Sequence, residues 1–100
     1  MEVKISKLEN VTTVAFAGRL DTPASQEVSG TIDPVLEAAD GTVVLDCKEM
    51  TYISSSGLRI FLALRKAAAA QGGKIIVKDI NDDIRQVFMM TGFLNLFDIQ

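Results

Sequence analysis

Residues 52–58 read Tyr52-Ile53-Ser54-Ser55-Ser56-Gly57-Leu58, between a short apolar run at Val43–Leu45 and a long helical segment that begins near Leu58. This is a strand, a polar turn and a helix in succession, and the reading of both flanks depends on it. Three hydroxyls fall at the helix N-terminus, where the first-turn N–H groups have no partner inside the helix. A serine there caps the helix, and an anion there is favoured by the same donors and by the helix dipole. A phosphate esterified to one of these hydroxyls would be such an anion. The local residues also leave open the plainer reading that Ser-Ser-Ser-Gly is only a cap and a tight turn.

Downstream, Leu58, Phe61, Leu62, Leu64 and Ala68 form a broad apolar surface, with Arg59, Arg65 and Lys66 on the wet side. Gly72-Gly73 ends this helix. Lys74 to Lys78 reads as a buried strand with charged ends. Asn81 caps a last helix whose first turn holds Asp82 and Asp83, as the helix dipole favours. Ile84, Val87 and Phe88 make its core face and Gly92 stops it. Met89-Met90, beside Phe88, reads as core, because Met fills gaps there. Phe93, Leu94, Leu96 and Phe97 are the final apolar cluster.

Upstream, Thr42 to Cys47 is apolar without alternation, as expected of a central parallel strand covered on both faces. Cys47 is then a small core residue. Before it, Val28, Ile32, Val35, Leu36 and Ala39 form a helical stripe, with Thr22 as cap and Pro23 as first helical residue. Pro34 lies inside the stripe and predicts a kink or restart near Asp33. Residues 2–8 and 11–18 alternate, with Val3 and Ile5 on one face of the first and Thr12, Val14 and Phe16 on one face of the second. Glu9-Asn10 joins them as a hairpin, and the stretch from Gly18 to Pro23 breaks the second strand.

The order is β-β-α-β-α-β-α, which predicts one α/β domain over residues 1–100. Its mixed four-stranded sheet has the strand at 42–47 in the centre, Val43 and Leu45 buried, and the helices mainly on one face. Crossovers between the parallel strands are right-handed. Loops at the carboxyl ends of strands build the sites of such sheets. Asp21 follows the second strand and Ser54 to Ser56 follow the third, so both loops fall at the same end.

Composition narrows the chemistry. The 100 residues are 48% hydrophobic and carry a net charge of −3, so the chain has a core's worth of apolar residues and no basic excess to attract nucleic acid. No apolar run approaches the roughly 20 residues that span a bilayer, and no signal-peptide pattern opens the chain. It reads as soluble and cytoplasmic, without direct membrane insertion. With one cysteine and no histidine, an intrachain disulfide is impossible and a metal site would need carboxylates alone. No metal and no cofactor are expected. A Ser-His-Asp arrangement, a Ser-x-x-Lys pair, a dinucleotide fingerprint and a P-loop are all missing, so the chain does not read as an enzyme.

Five segments in order carry a resemblance over essentially the whole chain. They are Gly18-Arg19-Leu20-Asp21, Val43-Val44-Leu45-Asp46, Tyr52 to Leu58, Gly72-Gly73-Lys74-Ile75 and Met90-Thr91-Gly92-Phe93. Together they resemble the STAS domain (sulfate transporter and anti-sigma factor antagonist), and within it the stand-alone bacterial anti-sigma factor antagonists. In that family the loop commonly reads Asp-Ser-Ser/Thr/Ala-Gly-Leu, and the Ser after the Asp accepts phosphate. The resemblance therefore implies Ser55 as the phosphorylation site, next to Ser54, Ser56 and Gly57, with Asp21 close by. Ser54 stands where many members have Asp, which leaves Ser54 and Ser56 as rival acceptors. The implied partners are an anti-sigma factor that is also a serine kinase, and a phosphatase. The exposed side of the helix after Gly57, including Arg59, joins the serine loop as the expected partner-binding surface. A subunit of a lipid-transport ABC complex is the other reading that the family allows.

Overall fold

The computed structural model describes residues 1–100. Two strands open it, β1 (Glu2–Leu8) and β2 (Val11–Leu20), paired antiparallel in unbroken register from Glu2↔Ala17 to Leu8↔Val11. Glu9-Asn10 is the turn between them. Thr12, Val14 and Phe16 lie on the buried face, as their alternation predicts. Val3 is half-buried against the core, but Ile5 is 40% exposed. The second strand does not break at Gly18. It continues to the fully buried Leu20, held extended by pairing of Arg19 and Leu20 with Tyr52 and Ile53.

Helix α1 (Thr22–Glu37) follows at once. Its cap is Asp21, not Thr22: an Asp21 carboxylate oxygen accepts the Ala24 N–H at 2.9 Å. A carboxylate at the strand end also complements the positive end of the helix dipole. Pro34 lies within the helix without ending it, so the restart near Asp33 does not occur. Pro34 and Gly30 are both exposed. The Gly30 carbonyl that Pro34 leaves without a partner is therefore open to water, which lowers the cost of the missing bond.

Strand β3 (Thr42–Ile53) is twice the length expected from its apolar run, and it does alternate. Val43, Leu45 and Cys47 are buried, whereas Val44 and Asp46 are half-exposed. The strand is central but is covered on one face only, and this corrects the two-sided reading. After Cys47 the next buried residues are Met50 and Ile53, each three positions on. The register with β2 explains that spacing. Ala15↔Asp46 is followed by Ala17↔Glu49, and Gly18↔Met50 by Arg19↔Tyr52, so β3 carries an extra residue at each of two bulges. Each bulge resets the alternation by one position. The core face thus stays aligned up to Ile53, while the sequence pattern reads as a loop.

Helix α2 (Ser55–Gln71) begins three residues before Leu58, and Gly72 ends it in the left-handed region at φ 75°. Strand β4 (Lys74–Lys78) and helix α3 (Asp82–Thr91), capped by Asn81, fall where the sequence puts them. After a 3₁₀ turn at Phe93–Asn95 comes a fifth strand, β5 (Asp98–Ile99), which pairs parallel with β4 through Ile76↔Asp98 and Val77↔Ile99. The sheet order is β1-β2-β3-β4-β5, with β3 in the middle. A two-residue strand has too short a pattern to be read from sequence.

The core lies between the sheet's covered face and the helices. Five phenylalanines, Phe16, Phe61, Phe88, Phe93 and Phe97, form a chain of tilted and edge-on ring contacts with centroids 5.5–6.2 Å apart. Such pairs add to the stabilisation from burial itself. The methionines of α3 are not part of this core: Met89 is 59% exposed and Met90 83%. The core face of α3 is taken by Ile84, Val87 and Phe88, and the next two residues rotate off it by 100° each. Arg65 is also off the wet side. It is half-buried, and its Nε donates to the Leu96 carbonyl at 2.8 Å, which ties α2 to the C-terminal segment.

Candidate functional site

Parallel β2 and β3 end side by side at Leu20↔Ile53, so the Asp21 and Ser54 turns leave the sheet together. Two hydrogen bonds fix the second turn to the first, and a third closes the second turn on itself. The Ser54 N–H donates to the Leu20 carbonyl at 2.9 Å, and the Ser54 hydroxyl donates to the same carbonyl at 3.0 Å. The Ser54 hydroxyl also accepts the Gly57 N–H at 3.2 Å. Ser54 is thus the N-cap of α2, with extended backbone, and its hydroxyl is occupied both as donor and as acceptor.

The two serines that follow differ from it and from each other. Ser56 is half-buried, with its Oγ 3.5 Å from the Oγ1 of Thr22 at the start of α1. It turns toward the neighbouring helix rather than inward to the sheet. Ser55 is exposed, and its hydroxyl has no protein partner. It is the first residue of α2, where the N–H groups of the first turn are not consumed by the helix. The cap takes the N–H of Gly57, leaving those of Ser55 and Ser56 for an anion. An anion at that position also meets the positive end of a 17-residue helix.

Gly57 is required by close approach. A Cβ built there would lie 2.8 Å from Leu20 Cγ and 2.9 Å from Ile53 Cγ1, both on buried side chains at the ends of β2 and β3. The absence of that carbon lets α2 start hard against the two strand ends. Asp21 is half-buried in the adjacent turn, and its carboxylate is engaged by the Ala24 N–H. It contributes negative charge beside the serine turn while serving as the cap of α1. Arg59 is exposed one helical turn below Ser55. It borders a shallow cavity of about 200 Å³ between α1 and α2, lined also by Ile32, Asp33, Leu36 and Ile60.

A second feature at this end of the sheet escapes the sequence. The Arg19 guanidinium lies over the Tyr52 ring, 4.2 Å from its centroid, within the range of a cation–π contact. The pair lines a cavity of about 350 Å³ with Ile53, Asp83, Ile84 and Val87. The bulges of β3 set Arg19 opposite Tyr52, and without the bulges the two have no visible relation. Elsewhere, burial pushes the Cys47 thiol up to about 12, with smaller contributions from the Asp46 and Asp79 charges. Cys47 is therefore protonated and unreactive. No group of three or more His, Cys, Asp or Glu residues is placed to hold a metal ion. No helix is long and apolar enough to cross a membrane.

Comparison with known proteins gives a consistent result. The STAS domain family model matches residues 2–100. The anti-sigma-B factor antagonist of Bacillus subtilis is 27% identical over 100 residues, covering 99% of this chain and 90% of that protein. The anti-sigma F factor antagonist of Paenibacillus polymyxa is 25% identical over 100 residues, covering 99% and 86%. Among solved structures, the anti-sigma factor antagonist SpoIIAA in its unphosphorylated form superposes with a TM-score of 0.76 at 17% identity, over 99% of this chain and 87% of that one. The phosphorylated form of the Bacillus protein SpoIIAA gives the same TM-score at 18% identity, over 99% and 91%.

Proposed function

The chain belongs to the STAS domain family, and on that footing we propose that it is an anti-sigma factor antagonist whose binding is switched by phosphate on Ser55. The observation that carries this reading is the inequality of the three serines: Ser54 is tied up as a cap, Ser56 leans on Thr22, and Ser55 alone offers a free, exposed hydroxyl. Relatives named as anti-sigma factor antagonists over nearly the full chain support the partner class. The domain acts as a non-catalytic binding module in the cytoplasm. Unmodified, it docks its serine turn and the exposed side of α2 on the anti-sigma factor, which also acts as the serine kinase. A phosphatase restores the binding form.

Phosphorylation adds about −1.5 to −2 charges at one point. The N–H groups of the first turn of α2 accommodate them without a change of fold. The new charge acts on the partner, through repulsion and the cost of desolvating a dianion in an interface. Asp21 adds like charge from the next turn, so the modified loop is more anionic still unless a cation intervenes. The experiment is phosphosite mapping after incubation with the cognate kinase and ATP. Phosphate is expected on Ser55, with Ser55→Ala unmodified and still competent to bind. Phosphate on Ser54 or Ser56 in the wild type, with Ser55→Ala modified as fast as before, overturns the assignment.

A further inference from the structure

The sheet has two edges, and they are unequal. On one side β5 is two residues long; on the other β1 offers seven residues in regular register, with no bulge and no proline. An edge of this kind presents a row of unpaired backbone N–H and C=O groups, to which another strand can add. From the charge pattern of this edge we infer that β1 is a self-association surface, on which β1 of a second copy pairs antiparallel about a two-fold axis perpendicular to the sheet.

The sequence of β1 selects the register. Facing residues of an antiparallel pair point to the same side of the sheet, so a two-fold axis must pass through one residue of β1. Centred on Lys4, the pairing sets Lys4 against its own copy, which is repulsive. Centred on Ile5, it sets Ile5 against its own copy, Val3 against Lys7, Lys4 against Ser6 and Glu2 against Leu8, with no opposite charges facing. Centred on Val3, it pairs residues 1–5, setting Val3 against Val3 and Met1 against Ile5 on the helix side and Glu2 against Lys4 on the open side, the last two twice by symmetry. Opposite charges directly across a strand pair stabilise it and like charges oppose it. Ile5, 40% exposed above a notch of about 210 Å³ lined by Thr12, Pro34, Val35 and Ala38, then gains a diagonal apolar neighbour in Val3 of the second copy.

The resulting assembly is one ten-stranded sheet with all helices on one face. Because β1 and its copy run antiparallel, β2 and its copy do too, so the two serine turns project from opposite ends and neither is covered. Self-association on this edge and docking at Ser55 are therefore independent. A single strand pair is small beside the roughly 1,200 Å² of a stable interface, so the association is weak and concentration-dependent.

Sedimentation velocity from about 10 µM to 1 mM covers the weak end of the affinity scale. The wild type is expected to pass from monomer to dimer across that range. Glu2→Lys and Lys4→Glu alone should each weaken the dimer about fivefold, since each converts two attractive cross-strand pairs into two repulsive ones. The double variant E2K/K4E restores both pairs in reversed polarity and should return to the wild-type constant. Both residues are exposed, and circular dichroism checks that each variant is folded. A wild type that stays monomeric to 1 mM overturns the inference. So does a dimer indifferent to the single changes, or one that the double change fails to rescue.

Discussion

Ser54 caps α2 through its hydroxyl, and an aspartate at that position would also accept a first-turn N–H. Ser rather than an acid at this position supplies the cap without placing a negative charge beside Ser55. Ser54→Ala should destabilise the protein by about 1 kcal/mol, the usual cost of a lost N-cap, and Ser54→Asp should recover that loss in urea titration. Equal stability of the alanine and aspartate variants would show that the cap bond contributes nothing. Cys47 gives a pH-dependent case. Its thiol ionises at about 12 in the fold against an ordinary value of 9.0. Between those values the unfolded chain loses a proton that the folded chain keeps, so stability falls as pH rises through this window, at up to about 1.4 kcal/mol per pH unit. Cys47→Ala removes that part of the slope. The stability gap between wild type and variant should therefore narrow from pH 9 to 11 in denaturant titrations.

Among the elements, β3 decides the arrangement. It pairs with β2 on one side and β4 on the other, and its carboxyl end delivers Ser54 to the start of α2. Leu45 lies in its middle with no exposed surface. Leu45→Ala should cost about 2–5 kcal/mol, as large-to-small changes in a core do. A loss below roughly 0.5 kcal/mol, typical of surface positions, would mean that Leu45 is not packed as described. The two bulges explain why the second half of β3 is invisible to periodicity: Lys48, Glu49, Thr51 and Tyr52 are exposed, and the buried residues Met50 and Ile53 come at intervals of three. Residue preference points to Thr22 as the cap of α1, but the helix starts directly at the end of β2, where the Ser25 N–H already bonds the Asp21 carbonyl and the Ala24 N–H its carboxylate.

For the whole molecule, charge added at the exposed Ser55 would meet first-turn N–H groups that are already free, so the proposed switch alters a surface and not a fold. Ser55→Asp should therefore leave the thermal midpoint within about 2 °C of wild type, a shift worth less than 1 kcal/mol for a domain of this size. It should weaken binding to the anti-sigma partner at least tenfold, measured by calorimetry. A large fall in the midpoint would instead mean that the serine turn is held too tightly to carry charge. Arg59→Glu tests the extent of the same surface, since Arg59 stands one turn below Ser55 beside the α1–α2 cavity. It should reduce affinity about tenfold or more if that side of α2 lies in the interface, because reversing the charge undoes the electrostatic match to the partner. Unchanged affinity would confine the interface to the turn itself.

The sequence alone determined the order of the first four strands and the three helices, the central strand, the cap at Asn81 and the ends at Gly72 and Gly92, because each rests on local periodicity or on one residue's backbone preference. The resemblance singled out Ser55. Local pattern could not supply the two-residue β5, the extension of β3 through its bulges, the outward turn of Met89 and Met90, or the bond from Arg65 to Leu96, since each depends on what lies opposite in space. The different fates of the three serines were decided in the same way. Three identical side chains in a row become a cap, a free hydroxyl and a contact to Thr22 only because β2 ends beside β3 and supplies the Leu20 carbonyl at hydrogen-bonding distance.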